Sequence, residues 1–112
     1  MADTNDFTID QGSDEFLSFD FDPSDLTGCT ARFQARTSYD SKSPVISGDE
    51  TDMITITGST LQVHFPADIT SAIKFAGESL ELVYDMEVVW PGTNYVERFA
   101  QGKITISREV TR

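Results

Sequence analysis

The 112-residue chain contains a single cysteine, Cys29, and a single histidine, His64. A lone thiol forms no intrachain disulfide, and no Cys/His pair stands at metal-ligand spacing, which excludes a disulfide scaffold and a structural zinc module. Positive charge is also scarce: eight Lys and Arg face nineteen Asp and Glu, for a formal net charge of −11. That surplus repels phosphate backbones and anionic lipid, so neither nucleic acid nor a membrane surface is an expected partner. Apolar runs last only a few residues, against the ~20 needed to cross a bilayer. Met1 is followed by acids in place of a basic leader, so the chain is expected to be neither a membrane protein nor a signal-bearing secreted one. A glycine-rich phosphate loop between strand and helix is missing as well.

What is present is enough for one folded unit. Surface scaling gives ~6,100 Å² accessible when folded against ~18,000 Å² for the open chain, so roughly two thirds can be buried without staples. The acids are unevenly placed, with eight in residues 1–31, where no Lys or Arg occurs. Phe7, Ile9, Phe16, Leu17, Phe19 and Phe21 are spaced through the same stretch, which argues against a solvating tail. Residues 1–5 read as a short flexible start and residues 6–112 as a single domain.

From there alternation of apolar and polar residues dominates. Phe7–Asp10 reads as a short strand ending at Gln11-Gly12. Leu17, Phe19 and Phe21 share a face of the next strand, and Asp22-Pro23-Ser24-Asp25 reverses the chain. Cys29, Ala31, Phe33, Ala35, Thr37 and Tyr39 alternate with Thr30, Arg32, Gln34 and Arg36, predicting a half-buried strand with the first set inward. Val45-Ile46-Ser47 is a short strand. Met53–Thr57 and Thr60–Phe65 flank Gly58-Ser59, a two-residue link suited to a primed hairpin turn. Residues 66–73 are the one helical stretch, with Ile69 and Ile73 on one face and a place at one end of the sheets. Leu80, Leu82, Tyr84, Met86 and Val88 point inward along a long strand with Glu81, Asp85 and Glu87 outward. A last strand from Tyr95 to about Val110 contains Gly102, which marks a bulge or a close backbone approach. Seven or eight short strands with one helical turn predict an all-β fold, an immunoglobulin-like antiparallel β-sandwich, with an eight-stranded jelly roll giving a similar pattern.

Few residue sets suggest chemistry. Asp20-x-Asp22-x-x-Asp25 resembles the opening of a calcium loop, but Asp25 stands where such a loop needs glycine and Ala31 where it needs a bidentate Glu, so a solvated turn is the plainer reading. His64 falls on the strand face opposite Leu61, Val63 and Phe65, with no Ser-His-Asp or Cys-His spacing around it. Cys29 is inward by alternation and sits in acidic surroundings, which suits a small core residue better than a nucleophile. Asp85/Glu87 and Glu78/Glu81 imitate paired acids, yet nineteen acids guarantee such pairs on a solvated face. Trp90, beside Pro91-Gly92, reads as an exposed binding anchor or as a rim residue closing the core. No catalytic set, cofactor or metal is expected.

Four segments together carry a likeness. They are Phe7-x-Ile9-x-Gln11-Gly12; Asp25-Leu26-Thr27-Gly28-Cys29-Thr30-Ala31 with Arg36 after it; Tyr84-Asp85-Met86-Glu87; and Arg98 to Ile106 running into Glu109-Val110-Thr111-Arg112. In this order and spacing the chain resembles a family of small tailed-bacteriophage virion proteins, and it is similar to the immunoglobulin-like N-terminal module of phage baseplate upper proteins. The resemblance implies a non-enzymatic structural subunit made in the host cytoplasm. It would reside in the virion, at tail, baseplate or neck, as an adaptor or fibre-attachment protein. Its implied partners are other virion proteins, in a multi-copy assembly or homo-oligomer. In the family module a fibre- or receptor-binding region often follows the sandwich. The stop at Arg112 favours a stand-alone adaptor, or alternatively a capsid decoration protein on the head lattice.

A carbohydrate-binding module using Trp90, Tyr95 and Tyr39 as stacking platforms is a third expectation. For assembly, the terminal segments are the expected docking elements, since a short edge strand such as Phe7–Asp10 offers backbone groups to a partner strand. The candidate interface is therefore Phe7, Ile9, Trp90, Tyr95 and Arg112, and residues 1–10 are expected to be removable without unfolding the subunit.

Overall fold

The fold is seen in a computed structural model that describes residues 3–110. It comprises β1 (Asp3–Thr4), β2 (Phe7–Asp10), β3 (Glu15–Asp20), β4 (Thr30–Arg36), β5 (Ile46–Asp49), β6 (Ile54–Thr57), β7 (Thr60–Phe65), α1 (Ala67–Ala72), β8 (Ser79–Trp90) and β9 (Tyr95–Ser107). Mostly strand with one short helix, it is an all-β fold built from two sheets. The smaller sheet has the order β3-β7-β6, and the larger runs β1-β9-β8-β4-β5 with β2 also on β9. The long axis of 45 Å is set by the β8–β9 hairpin, since thirteen residues at about 3.3 Å each span nearly that length.

Alternation in the sequence became the inner faces of the two sheets. Ala31, Phe33 and Ala35 of β4, Leu61, Val63 and Phe65 of β7, and Leu82, Tyr84, Met86 and Val88 of β8 are all buried. Rings interlock across the gap: Phe33 meets Phe65 edge-on at 5.3 Å, and Phe19 meets Phe99 at 5.2 Å. The β6–β7 link turns as expected, with Gly58 at φ +60° and Thr57 opposite Thr60. A positive φ at the first of two loop residues is the II′ geometry, whose twist suits the strands it joins.

Several expectations are corrected. The fold is not wholly antiparallel, because β1 and β2 both run parallel to β9. Nearly the whole chain separates these partners, so no tight hairpin imposes an antiparallel direction. Asp3 and Thr4, expected to lie in a flexible start, ladder with Ala100 and Gln101; Met1 and Ala2 lie outside the described residues. β4 ends at Arg36, so Thr37 and Tyr39 are exposed instead of inward, Tyr39 by 83%. The last strand ends at Ser107 and not near Val110.

Helix α1 meets the predicted face only in part: Ile73 is inward as expected, but Thr70 takes the place of Ile69. Thr70 and Ile73, three apart, are buried, while Ile69 is exposed. The reason is a hydrogen-bonded lock at the Gln11–Ser13 turn. Thr70 Oγ1 accepts from Gly12 N–H at 2.9 Å and donates toward the Ser13 carbonyl, and Gln11 Nε2 donates to the Ile73 carbonyl at 2.7 Å. A threonine satisfied this way is drawn inside at no unpaired polar cost.

The glycine in β9 resolves into two separate devices. The register of β9 against β8 slips between Met86 and Glu87, leaving Phe99 as the extra residue, so that Phe99 and Ala100 both reach the core. Gly102 is the close approach. Its φ is +150°, and a Cβ there would lie 2.4 Å from the Asn5 carbonyl oxygen. The chain passing from β1 to β2 thus crosses directly over Gly102.

Candidate interaction surfaces

That crossing ties the N-terminal edge to the sheet. Asn5 N–H donates to the Gln101 carbonyl at 2.9 Å, Lys103 N–H donates to Asp6 Oδ1 at 2.9 Å, and Tyr84 Oη donates to the Asn5 carbonyl at 2.5 Å. Burial, and secondarily the Asp6 charge, push the Tyr84 phenol up to about 12.

The interface residues expected from the sequence scatter. Ile9 is fully buried and Phe7 half-buried, with the Phe7 ring packed on Tyr84 at 5.2 Å and Phe65 at 6.1 Å. Neither side chain is free for a partner, because each faces the core from an edge strand. Removing residues 1–10 would therefore strip β9 of its edge and the core of Ile9, which corrects the expectation of a folded truncation. Trp90 is a rim residue: it is half-buried against the core, and Nε1 donates to Glu97 Oε1 at 3.1 Å. Tyr95, opposite Trp90 in the hairpin, is 61% exposed. Arg112 lies outside the described residues.

The outer face of the larger sheet is organised by register. Arg32 on β4, Glu87 on β8 and Arg98 on β9 fall in one cross-strand row; Gln34, Asp85 and Gln101 form the next; Arg36, Val83 and Lys103 the third. Ion pairs stitch the rows: Arg32–Glu87 at 2.7 Å, Arg98–Asp85 at 3.4 Å and Lys103–Glu81 at 3.6 Å. Partial burial raises the Asp85 carboxyl, against the opposing pull of Arg98. With Asp49 opposite Arg32, this face holds four bases and four acids across β5, β4, β8 and β9, and Asp10 of β2, beside Ser107, adds a fifth acid, so the face is close to neutral. The rest of the chain carries nearly all of the net charge of −11. A shallow pocket of about 230 Å³ opens here beside Tyr39, among Gln34, Arg36, Arg98 and Gln101. Tyr39 therefore belongs to the Arg36 end of β4, whereas Trp90 and Tyr95 close the far end of the β8–β9 hairpin. The three aromatics do not form one platform.

The remaining candidates are accounted for locally. Asp20 Oδ1 accepts from Asp22 N–H, and Asp25 Oδ1 accepts from the Thr27 N–H and hydroxyl, which hold the Asp25 carboxyl below its ordinary range. Among the described residues, no three His, Cys, Asp or Glu side chains gather as a metal-binding group. His64 has a partner the sequence did not reveal: Nε2 lies 3.0 Å from Asp14 Oδ1, and the ring stacks on Phe16 at 4.4 Å. The same Asp14 oxygen accepts from Ala67 N–H at 3.0 Å, capping α1 where its own N-cap, Pro66, has no side-chain oxygen. Those two hydrogen bonds, His64 first, lower the Asp14 pKa. Cys29 is buried, and desolvation with the nearby Asp25 charge raises its thiol pKa. In the described residues no helix is long and apolar enough to cross a membrane.

No protein-family model matches the chain, and no curated protein matches its sequence.

Proposed function

We propose that the chain is a non-enzymatic structural subunit of a tailed-bacteriophage virion, an immunoglobulin-like sandwich that attaches to other virion proteins at the tail, baseplate or neck. The immunoglobulin-like reading is supported by strand order. β3-β7-β6 corresponds to the B-E-D row of that class, and β9-β8-β4-β5 corresponds to G-F-C-C′. The assembly reading rests on the segregation of charge. One broad, nearly neutral, ion-paired face lies on the larger sheet, and the strongly acidic remainder repels further copies at other angles. Such a surface favours one docking orientation on a partner.

Cryo-electron microscopy of purified particles, with this chain located by density, tests the proposal. Rings of the subunit at tail, neck or baseplate support it. Density on the head lattice replaces it with capsid decoration, and absence from purified virions rejects both. Glycan stacking by Trp90, Tyr95 and Tyr39 together is disfavoured by their separation.

A further inference from the structure

The smaller sheet ends on one side at β3, and nothing among the described residues pairs with its outer edge. Ladder parity shows which groups face that side. The two-residue turn makes Thr57 and Thr60 a bonded pair, and His64 N–H donates to Met53 at 2.8 Å, so alternate residues of β7 beginning at Thr60 bond toward β6. Leu61, Val63 and Phe65 therefore serve β3, opposite Phe19, Leu17 and Glu15. Phe21 N–H donating to the Ser59 carbonyl keeps the same parity. The N–H and C=O groups of Phe16, Ser18 and Asp20 consequently point to the open side.

This is the longest unbroken edge in the fold. β5 and β6 have four residues each, and the β1–β2 edge is interrupted at Asn5–Asp6. β3 carries none of the usual obstructions, having no proline, no inward lysine and no bulge. Its outward side presents Phe16, 57% exposed, with one ring face on His64, and its inward side presents the half-buried Leu17 and Phe19.

We propose that β3 is a strand-addition site for an extended segment of another protein that alternates apolar residues with Lys or Arg. Backbone bonds to Phe16, Ser18 and Asp20 would hold it. Its apolar side chains would extend the inner layer beside Leu17 and Phe19, and its basic ones would lie beside Phe16 and Asp20. Charge selects this occupant: Asp20 lies on the outward face of β3, Glu15 begins the strand, Asp14 and Asp22 flank it in the chain, and no Lys or Arg occurs before Arg32. A second copy would bring the same acids against themselves.

The inference rests on the assembly reading for the nature of the occupant. Its test uses the purified subunit, so the two fail separately. The probe is a capped eight-residue peptide alternating valine with lysine or arginine, titrated into isotope-labelled protein. Amide exchange at Phe16, Ser18 and Asp20 should slow by about tenfold, and affinity should fall by about tenfold from low to physiological salt. A peptide alternating valine with glutamate should do neither. Ser18→Pro removes only the outward donor and should abolish binding with the β7 ladder retained. Should that variant unfold, the wild-type exchange map decides alone. Protection at β2, β5 or β6 instead, equal binding of the acidic peptide, or full binding by a folded Ser18→Pro variant would each overturn the proposal. So would a peptide-free dimer that Ser18→Pro dissolves, since the occupant would then be a second copy.

Discussion

Gly102→Ala probes the crossing of the N-terminal edge over β9. The new methyl would sit 2.4 Å from the Asn5 carbonyl oxygen and 2.7 Å from Asp6 Oδ1, and the backbone there has φ +150°. The aspartate can swing away, but the Asn5 carbonyl cannot move without loosening the strand. Three hydrogen bonds depend on this crossing: Asn5 to Gln101, Lys103 to Asp6 and Tyr84 to Asn5. At about 1 kcal/mol net for each, with about 1–2 kcal/mol for alanine in a glycine torsion, the substitution should cost about 4–5 kcal/mol. Urea denaturation followed by Trp90 fluorescence measures it. The decisive comparison is the same substitution in a chain lacking residues 1–6. There the clash is gone and only the torsional cost of about 1–2 kcal/mol should remain, a coupling of about 3 kcal/mol between glycine and edge. Equal costs in the two backgrounds would show that β9 needs the glycine for its own path, and the crossing argument would be wrong.

Two further outcomes follow from the buried titratable groups. The Tyr84 phenol is raised from 10 to about 12, so above pH 10 the unfolded chain gives up this proton first. The stabilisation is complete below pH 10 and is lost as pH rises to about 12, up to roughly 3 kcal/mol. The difference between ultraviolet titrations of wild type and Tyr84→Phe should have its midpoint near the upper value, and a midpoint at 10 would place the ring in water. Cys29 is buried with a raised thiol pKa, so a disulfide reagent at neutral pH should label the folded protein at least about 100-fold more slowly than the denatured one. Rapid labelling of folded protein would mean that the thiol is at the surface.

Much of the fold was legible because a strand buried on one face writes itself as alternation. Phe33, Leu61, Val63, Leu82 and Met86 announced their burial from spacing alone, and Gly58-Ser59 announced a turn because few residues tolerate that torsion. The sequence also located the anomaly at Gly102, though not which of its two meanings applied. Failures occurred where local pattern met a distant partner. Alternation carried Tyr39 inward, but β4 leaves the sheet at Arg36 while its neighbour β8 runs on to Ser79 without it. Helical spacing favoured Ile69 beside Ile73, but hydrogen bonds at the Gln11–Ser13 turn brought Thr70 inward in place of Ile69. Asp14 meets His64 and caps α1 across some fifty residues, a separation that no local motif encodes.

By itself, then, the sequence determined the all-β class, the inner faces and the acidity of the first thirty-one residues, since each depends on neighbours along the chain. Tertiary structure alone decided that the first strands run parallel to the last and that Phe99 occupies a bulge. It alone assembled half the bases on one nearly neutral face, and it alone left the edge of β3 open. Those features depend on which strands meet and in what register, and pairing between strands far apart in the chain is fixed by how the two inner faces fit together.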